Sequence, residues 1–170
     1  FELLKKKLSE EGLFDASYKK PLPAYPMDIA LVTGNNTAAR EDALITLKKR
    51  WPISKLTEYP APVQGMDAAP KIITALQAAD AGNHQVIMLV RGGGSIEDLW
   101  CFNDETLARY IFQMKTPIVT GIGHEIDFTL VDFVSDYRAN TPTGAVEAAV
   151  PDMQEVLATL QNSRSRLMNA

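Results

Sequence analysis

Apolar residues in this chain fall in short unbroken runs, separated by stretches where they recur every third or fourth position. MDIALVT (27–33), VIMLV (86–90) and PIVTGIG (117–123) are the runs. A strand covered on both faces of a sheet has this composition. ISKLTEYPAPV (53–63) supplies a further strand. Helical text lies between them. After the polar turn GNNT, residues 38–51 place Ala39, Ala43, Leu44 and Leu47 on one side, and DAAPKIITALQAADAG (67–82) stops at Gly82. RGGGS leads into helical text up to Met114, and HEIDFTLVDFVSDY (124–137) follows the last run. Residues 1–14 read as an amphipathic helix with Leu4 and Leu8 on one face and Gly12 near its stop, and KKPLPAYP (19–26) as a stiff linker. Strands alternating with helices imply parallel pairing and right-handed crossovers. The fold expected is α/β and doubly wound, with a mainly parallel sheet of about four or more strands flanked by helices. Its parts are an N-terminal helix and linker (1–26), an α/β domain (27–144) and a helical segment (145–170), the last read as the start of a longer helical region that Pro151 interrupts.

Composition changes this picture little. The chain has 170 residues, a 46% hydrophobic share and 22% charged residues, within the globular range. Its net charge of −4 argues against a surface that is basic all over, although lysine and arginine gather at 5–7, 19–20 and 48–50. No apolar stretch approaches the roughly 18 residues of a membrane span, and the first residues read as a helix rather than a signal peptide, so no membrane partner is expected. Cys101 stands alone, which fits a reducing cytoplasm. A start at Phe1 rather than Met suggests a piece of a longer protein.

In an open parallel sheet, ligands bind at the carboxyl ends of the strands, and three polar, glycine-bearing segments fall there. RGGGS is the first. Gly92, Gly93 and Gly94 can reach positive φ and leave backbone N–H groups open to an anion, Ser95 can cap a helix with Asp98 three residues on, and Arg91 brings a fork of donors. The plainer alternative is a flexible turn beside a surface arginine. The loop matches neither a Walker A nor a GxGxxG pattern. GIGHEID is the second: with a helix starting near His124, Asp127 would share its face, giving an imidazole beside a carboxylate for proton transfer or metal binding, or merely a helix N-terminus. Glu125 and Asp132 are weaker candidates, and His84 sits in a polar turn with nothing around it. In the third, TGNNTAARED, Thr37 can cap a helix and Asp42 lies in its second turn, where a solvated carboxylate is the simpler reading. RANTPTG adds a helix start with Thr141 as cap and Pro142 at the first position, preceded by Arg138 as a phosphate contact or salt-bridge partner.

RGGGSIEDLWCFNDE and GIGHEIDFTLVDFVSDYRANTPTGAVE together resemble the catalytic region of the exodeoxyribonuclease VII large subunit, and residues 6–42 and 59–72 resemble the segments around it. Thr37, Ile126 and Gly144 depart from the usual family pattern. The resemblance implies an exonuclease that degrades single-stranded DNA to short oligonucleotides, with Asp42, Arg91, His124 and Asp127 as its catalytic set. It also implies no strict need for a divalent metal, while the two aspartates and the histidine would suit Mg²⁺ chemically. A small subunit is the implied protein partner, held by a helical region beyond this chain, and weak DNA binding is implied for the chain alone. The rival expectation is a non-catalytic phosphate- or nucleotide-binding domain.

Overall fold

The structure, a computed structural model, describes residues 1–123 and 128–170. Helix α1 (Glu2–Glu10) ends in a Schellman turn, in which Leu13 N–H donates to Leu8 O at 3.1 Å and Gly12 N–H to Ser9 O at 3.0 Å. Gly12 occupies the left-handed position of that turn at φ +85°, and Leu8 and Leu13 on either side of it are buried. Strand β1 (Asp28–Thr33), helix α2 (Ala38–Arg50), strand β2 (Lys55–Pro60), helix α3 (Ala68–Ala81) and strand β3 (Val86–Val90) follow as the pattern predicts.

The helical text after β3 is two elements rather than one: a 3₁₀ helix, Ile96–Asn103, and helix α4 (Glu105–Gln113). Asp104 separates them, because its carboxylate accepts the N–H of Leu107 at 2.8 Å and starts a new helix. Strand β4 (Ile118–Gly121) is followed by a helix, α5, that begins at Leu130 and ends at Val134. A fifth strand that periodicity did not show, β5 (Tyr137–Arg138), precedes α6 (Pro142–Ala149) and α7 (Met153–Met168). Two residues are too few to carry a period. Pro151 falls between α6 and α7, as expected.

All five described strands are parallel, in the order β2-β1-β3-β4-β5. The apolar runs divide by alternation. Ile29, Leu31, Val86, Met88 and Val90 face the layer that includes Ala39, Ala43, Leu47, Val146 and Ala149 of α2 and α6. Ala30, Val32, Ile87 and Leu89 face the other layer, with Ile72, Leu76, Leu107 and Ile111 of α3 and α4 and Leu8 of α1. Both faces are covered, which is why the strands read as continuous runs.

The linker is held down at both ends. Asp136 accepts Lys20 N–H at 2.7 Å and Ile118 N–H at 2.9 Å, Lys19 Nζ donates to Phe133 O, and Trp51 Nε1 donates to Pro26 O at 2.7 Å. The strand order reverses between β1 and β3, so the loops leaving those two strands diverge to opposite faces and open a crevice.

Candidate active site

The segments that line this crevice are built by the strand ends. After β1, Asn36 turns the chain with φ +53°, a conformation asparagine tolerates. Thr37 then caps α2 by accepting Arg40 N–H at 3.2 Å. Thr33 Oγ1 donates to Val90 O at 2.8 Å, joining the ends of β1 and β3 at the switch point. Arg91 N–H continues the sheet onto Gly121 O at 3.0 Å. Thr141 caps α6 by accepting Gly144 N–H at 2.9 Å, with Pro142 in its first turn as expected. A narrow cleft of about 70 Å³ at the carboxyl edge is walled by Arg91, Gly92, Gly93, Gly123, Asn140 and Thr141 among others.

The glycine loop works differently from expectation. None of Gly92, Gly93 and Gly94 takes positive φ. Gly94 is required instead by contact: a Cβ there would lie 2.3 Å from Arg91 Nη2 and 3.0 Å from Asp98 Oδ2. A Cβ on Gly92 would meet Ala39 of α2 at 3.5 Å, an ordinary contact, and one on Gly93 would meet nothing within 4 Å. Arg91 therefore curls back over its own loop. Its side chain is 3% exposed, with Nη1 donating to Gly92 O at 3.0 Å and Nη2 lying 3.5 Å from Asp98 Oδ2. Nε is buried without a hydrogen-bond partner among the described residues. Ser95 N–H donates to the same Asp98 oxygen at 3.3 Å, the reverse half of the expected capping box. Among the described residues, the N–H groups of Gly92, Gly93 and Gly94 donate to no protein acceptor.

Asp42 is exposed on α2, and its carboxylate has no hydrogen bond or ion pair among the described residues. It lies three residues beyond Ala39, the α2 residue against which Gly92 packs, so one helix turn carries it from the glycine loop. His124 and Asp127, and with them Glu125, lie outside the described residues. The described helix of that region starts at Leu130, and Asp132 sits in its first turn, accepting Thr129 N–H and Thr120 Oγ1, each at 3.0 Å. Burial, only partly offset by those bonds and by Arg138, pushes its carboxyl above the ordinary aspartate range. Arg138 lies over the Phe128 ring at 3.8 Å, 3.7 Å from Asp132 Oδ2, and donates to Asn140 Oδ1 at 2.7 Å. It lines a neighbouring recess that shares Asn140 and Thr141 with the cleft, and so stands at the rim of the cleft rather than in its wall.

His84 is corrected as well. It is not isolated: Nδ1 lies 2.5 Å from Asp28 Oδ1 and Nε2 2.6 Å from Tyr59 Oη. Both partners come from other strands, so no local pattern around AGNHQ signalled them. Asp28 opens β1, which puts this cluster away from the carboxyl edge.

Cys101, beneath the glycine loop, has its thiol pushed up to about 11 by burial, against the opposing pull of Arg91. It is therefore expected to stay a thiol at neutral pH and to react with a disulfide reagent only slowly until the protein is denatured. Rapid labelling of the native protein would contradict this.

Comparison with known proteins places the chain in a family. The model described as exonuclease VII, large subunit, matches residues 13–170. The chain belongs to that family. Over 171 aligned residues it is 54% identical to the exodeoxyribonuclease 7 large subunit of Nitrosomonas eutropha and 47% identical to that of Geobacillus kaustophilus, covering all of this chain and 38% of each relative. The same protein of Legionella pneumophila (strain Paris) is 50% identical over 171 residues, with 39% of its length covered. The chain thus spans about two fifths of these exonuclease VII large subunits. No described helix is long and apolar enough to cross a membrane.

Proposed function

We propose that this domain hydrolyses phosphodiester bonds of single-stranded DNA, releasing short oligonucleotides from strand ends, as the catalytic part of an exonuclease VII large subunit. The observation that carries the proposal is the gathering of a glycine loop whose N–H groups meet no acceptor among the described residues, a buried arginine and the Asp42 helix at one sheet edge, in a chain of this family. Phosphodiester hydrolysis needs charge stabilisation on the phosphoryl oxygens, an activated water and a proton for the leaving oxygen. Arg91 and the amides of residues 92–94 supply the first. The Asp98 carboxylate takes the position of an anion beside Arg91. Its side chain is 38% exposed, so an incoming phosphate can replace it as it turns to solvent. His124, oriented by Asp127, transfers protons, and Asp42 takes the complementary acid or base role. Arg138 at the rim meets a neighbouring phosphate.

The reaction on this reading has no strict need for a metal, because an arginine with backbone amides can carry the charge. Among the described residues no three His, Cys, Asp or Glu side chains gather; His124 and Asp127, which would complete a Mg²⁺ set with Asp42, lie outside them. The proposed location is the cytoplasm, which a lone buried thiol fits, and a small subunit is the proposed protein partner.

The test is cleavage of a labelled single-stranded oligonucleotide by the intact protein in excess chelator, with Asp42→Asn and His124→Ala beside it. Activity should persist in chelator and fall in each variant by about 10²-fold or more. Full activity in Asp42→Asn would remove that residue from the chemistry, and loss of all activity in chelator would make the metal essential.

A further inference from the structure

Trp100 is 65% exposed, although its neighbours in the 3₁₀ helix, Leu99, Cys101 and Phe102, are all buried. That helix turns its aliphatic and thiol side inward and presents a bare indole to solvent. A large exposed aromatic is informative where a scattered exposed leucine is not. The indole borders a recess of about 410 Å³, within the range of small-ligand sites, whose wall also includes Met66, Glu97, Asp98, Cys101 and Asn103. Met66 is itself 99% exposed. Asp98 belongs both to this recess and to the glycine loop, where its carboxylate lies 3.5 Å from Arg91 Nη2. The two sites are therefore neighbours, separated by one side chain.

We infer that the recess receives an unpaired base of the DNA strand whose phosphate sits on the glycine loop, with Trp100 as its stacking platform. The inference rests on the nuclease reading above. Charge selects the occupant. Among the described residues no lysine or arginine side chain lines the recess, while Glu97, Asp98 and Asp104 do, so a phosphate is repelled and directed to Arg91. A neutral base is not repelled, and carboxylate and amide oxygens accept hydrogen bonds from exocyclic amino groups or, in thymine, from the ring N3–H. Stacking on an aromatic ring is tolerant of sequence because every base has a π face. A base inside a duplex is already paired and stacked on both sides and does not reach the indole. Trp100 thus selects single strands, and Arg91 holds the backbone.

The intact protein is titrated with a phosphorothioate oligothymidylate, with an abasic strand of the same length and with a blunt hairpin duplex. Trp100→Ala should weaken oligothymidylate binding by roughly 5- to 100-fold, the effect of losing one stacked base. Trp100→Phe should restore most of it, and the weaker binding of the abasic strand and the duplex should not change. Oligothymidylate should quench tryptophan fluorescence in the wild type and less in Trp100→Ala. Equal oligothymidylate affinity in the two proteins, or an equal loss for the abasic strand, overturns the inference. If Arg91→Ala cleaves single-stranded DNA normally, the nuclease reading falls and takes this inference with it. If Arg91→Ala is inactive while Trp100→Ala binds normally, only the base recess is lost.

Discussion

Gly94→Ala should lose DNA cleavage by about 10²-fold without unfolding, while Gly93→Ala, one residue before it, should behave as wild type. The added methyl at position 94 would lie 2.3 Å from Arg91 Nη2. That atom is the far end of a flexible side chain, so the clash is relieved by moving the guanidinium rather than the backbone. The cost to stability is small. The cost to the proposed chemistry is large, because a misplacement of about 1 Å in a charge-stabilising group can cost about 10²-fold in rate. A methyl at 93 meets nothing within 4 Å. Cleavage rates and melting temperatures of the two variants, measured together, separate positioning from folding. Equal rates for Gly94→Ala and the wild type would mean that the Arg91 position seen here is not the one the reaction uses.

The opposite behaviour is expected at Gly121, the last residue of β4. A Cβ there would stand 2.5 Å from Thr141 O and 2.9 Å from Ala145 Cβ. The obstacle is backbone at the start of α6, which cannot step aside without lifting the helix from the sheet. Gly121→Ala should destabilise the protein by about 1–3 kcal/mol, a fall in Tm of roughly 3–10 °C for a chain of this size. Cleavage should fall as well, since Asn140 and Thr141 wall the same cleft as Arg91. Thermal denaturation followed by circular dichroism checks it; an unchanged Tm would refute the packing argument.

How much was legible in the sequence differed between elements for physical reasons. The strands at 28–33 and 86–90 were plain, since burial on both faces leaves no polar interruption. The starts of α2 and α6 were plain as well, because Thr37 and the Thr141–Pro142 pair act through bonds to residues only three positions away. Contacts made across the chain left no such mark. His84 finds Asp28 and Tyr59 from separate strands, and Asp104 splits a helical stretch whose apolar pattern runs through the break. In RGGGS the need for glycine was visible but its cause was not: close approach by Arg91, rather than backbone handedness, constrains position 94. The family resemblance named Asp42 and Arg91, and the fold brings their segments to one edge. Trp100 lies inside the RGGGSIEDLWCFNDE motif, yet its exposure is a property of the folded surface and has no signature in a local pattern.

Asp136 has a mechanical consequence. Its carboxylate, in a side chain only 2% exposed, grips the backbone N–H of Lys20 in the linker and that of Ile118 at the head of β4. Tension applied to the linker at Lys20 would run into Asp136 and so into the β4–β5 edge, the part of the sheet that also carries the Arg138–Thr141 rim. The linker is a tether fastened to the side of the domain proposed to do the chemistry, and a pull on it would be felt there before it reached β2 on the opposite edge.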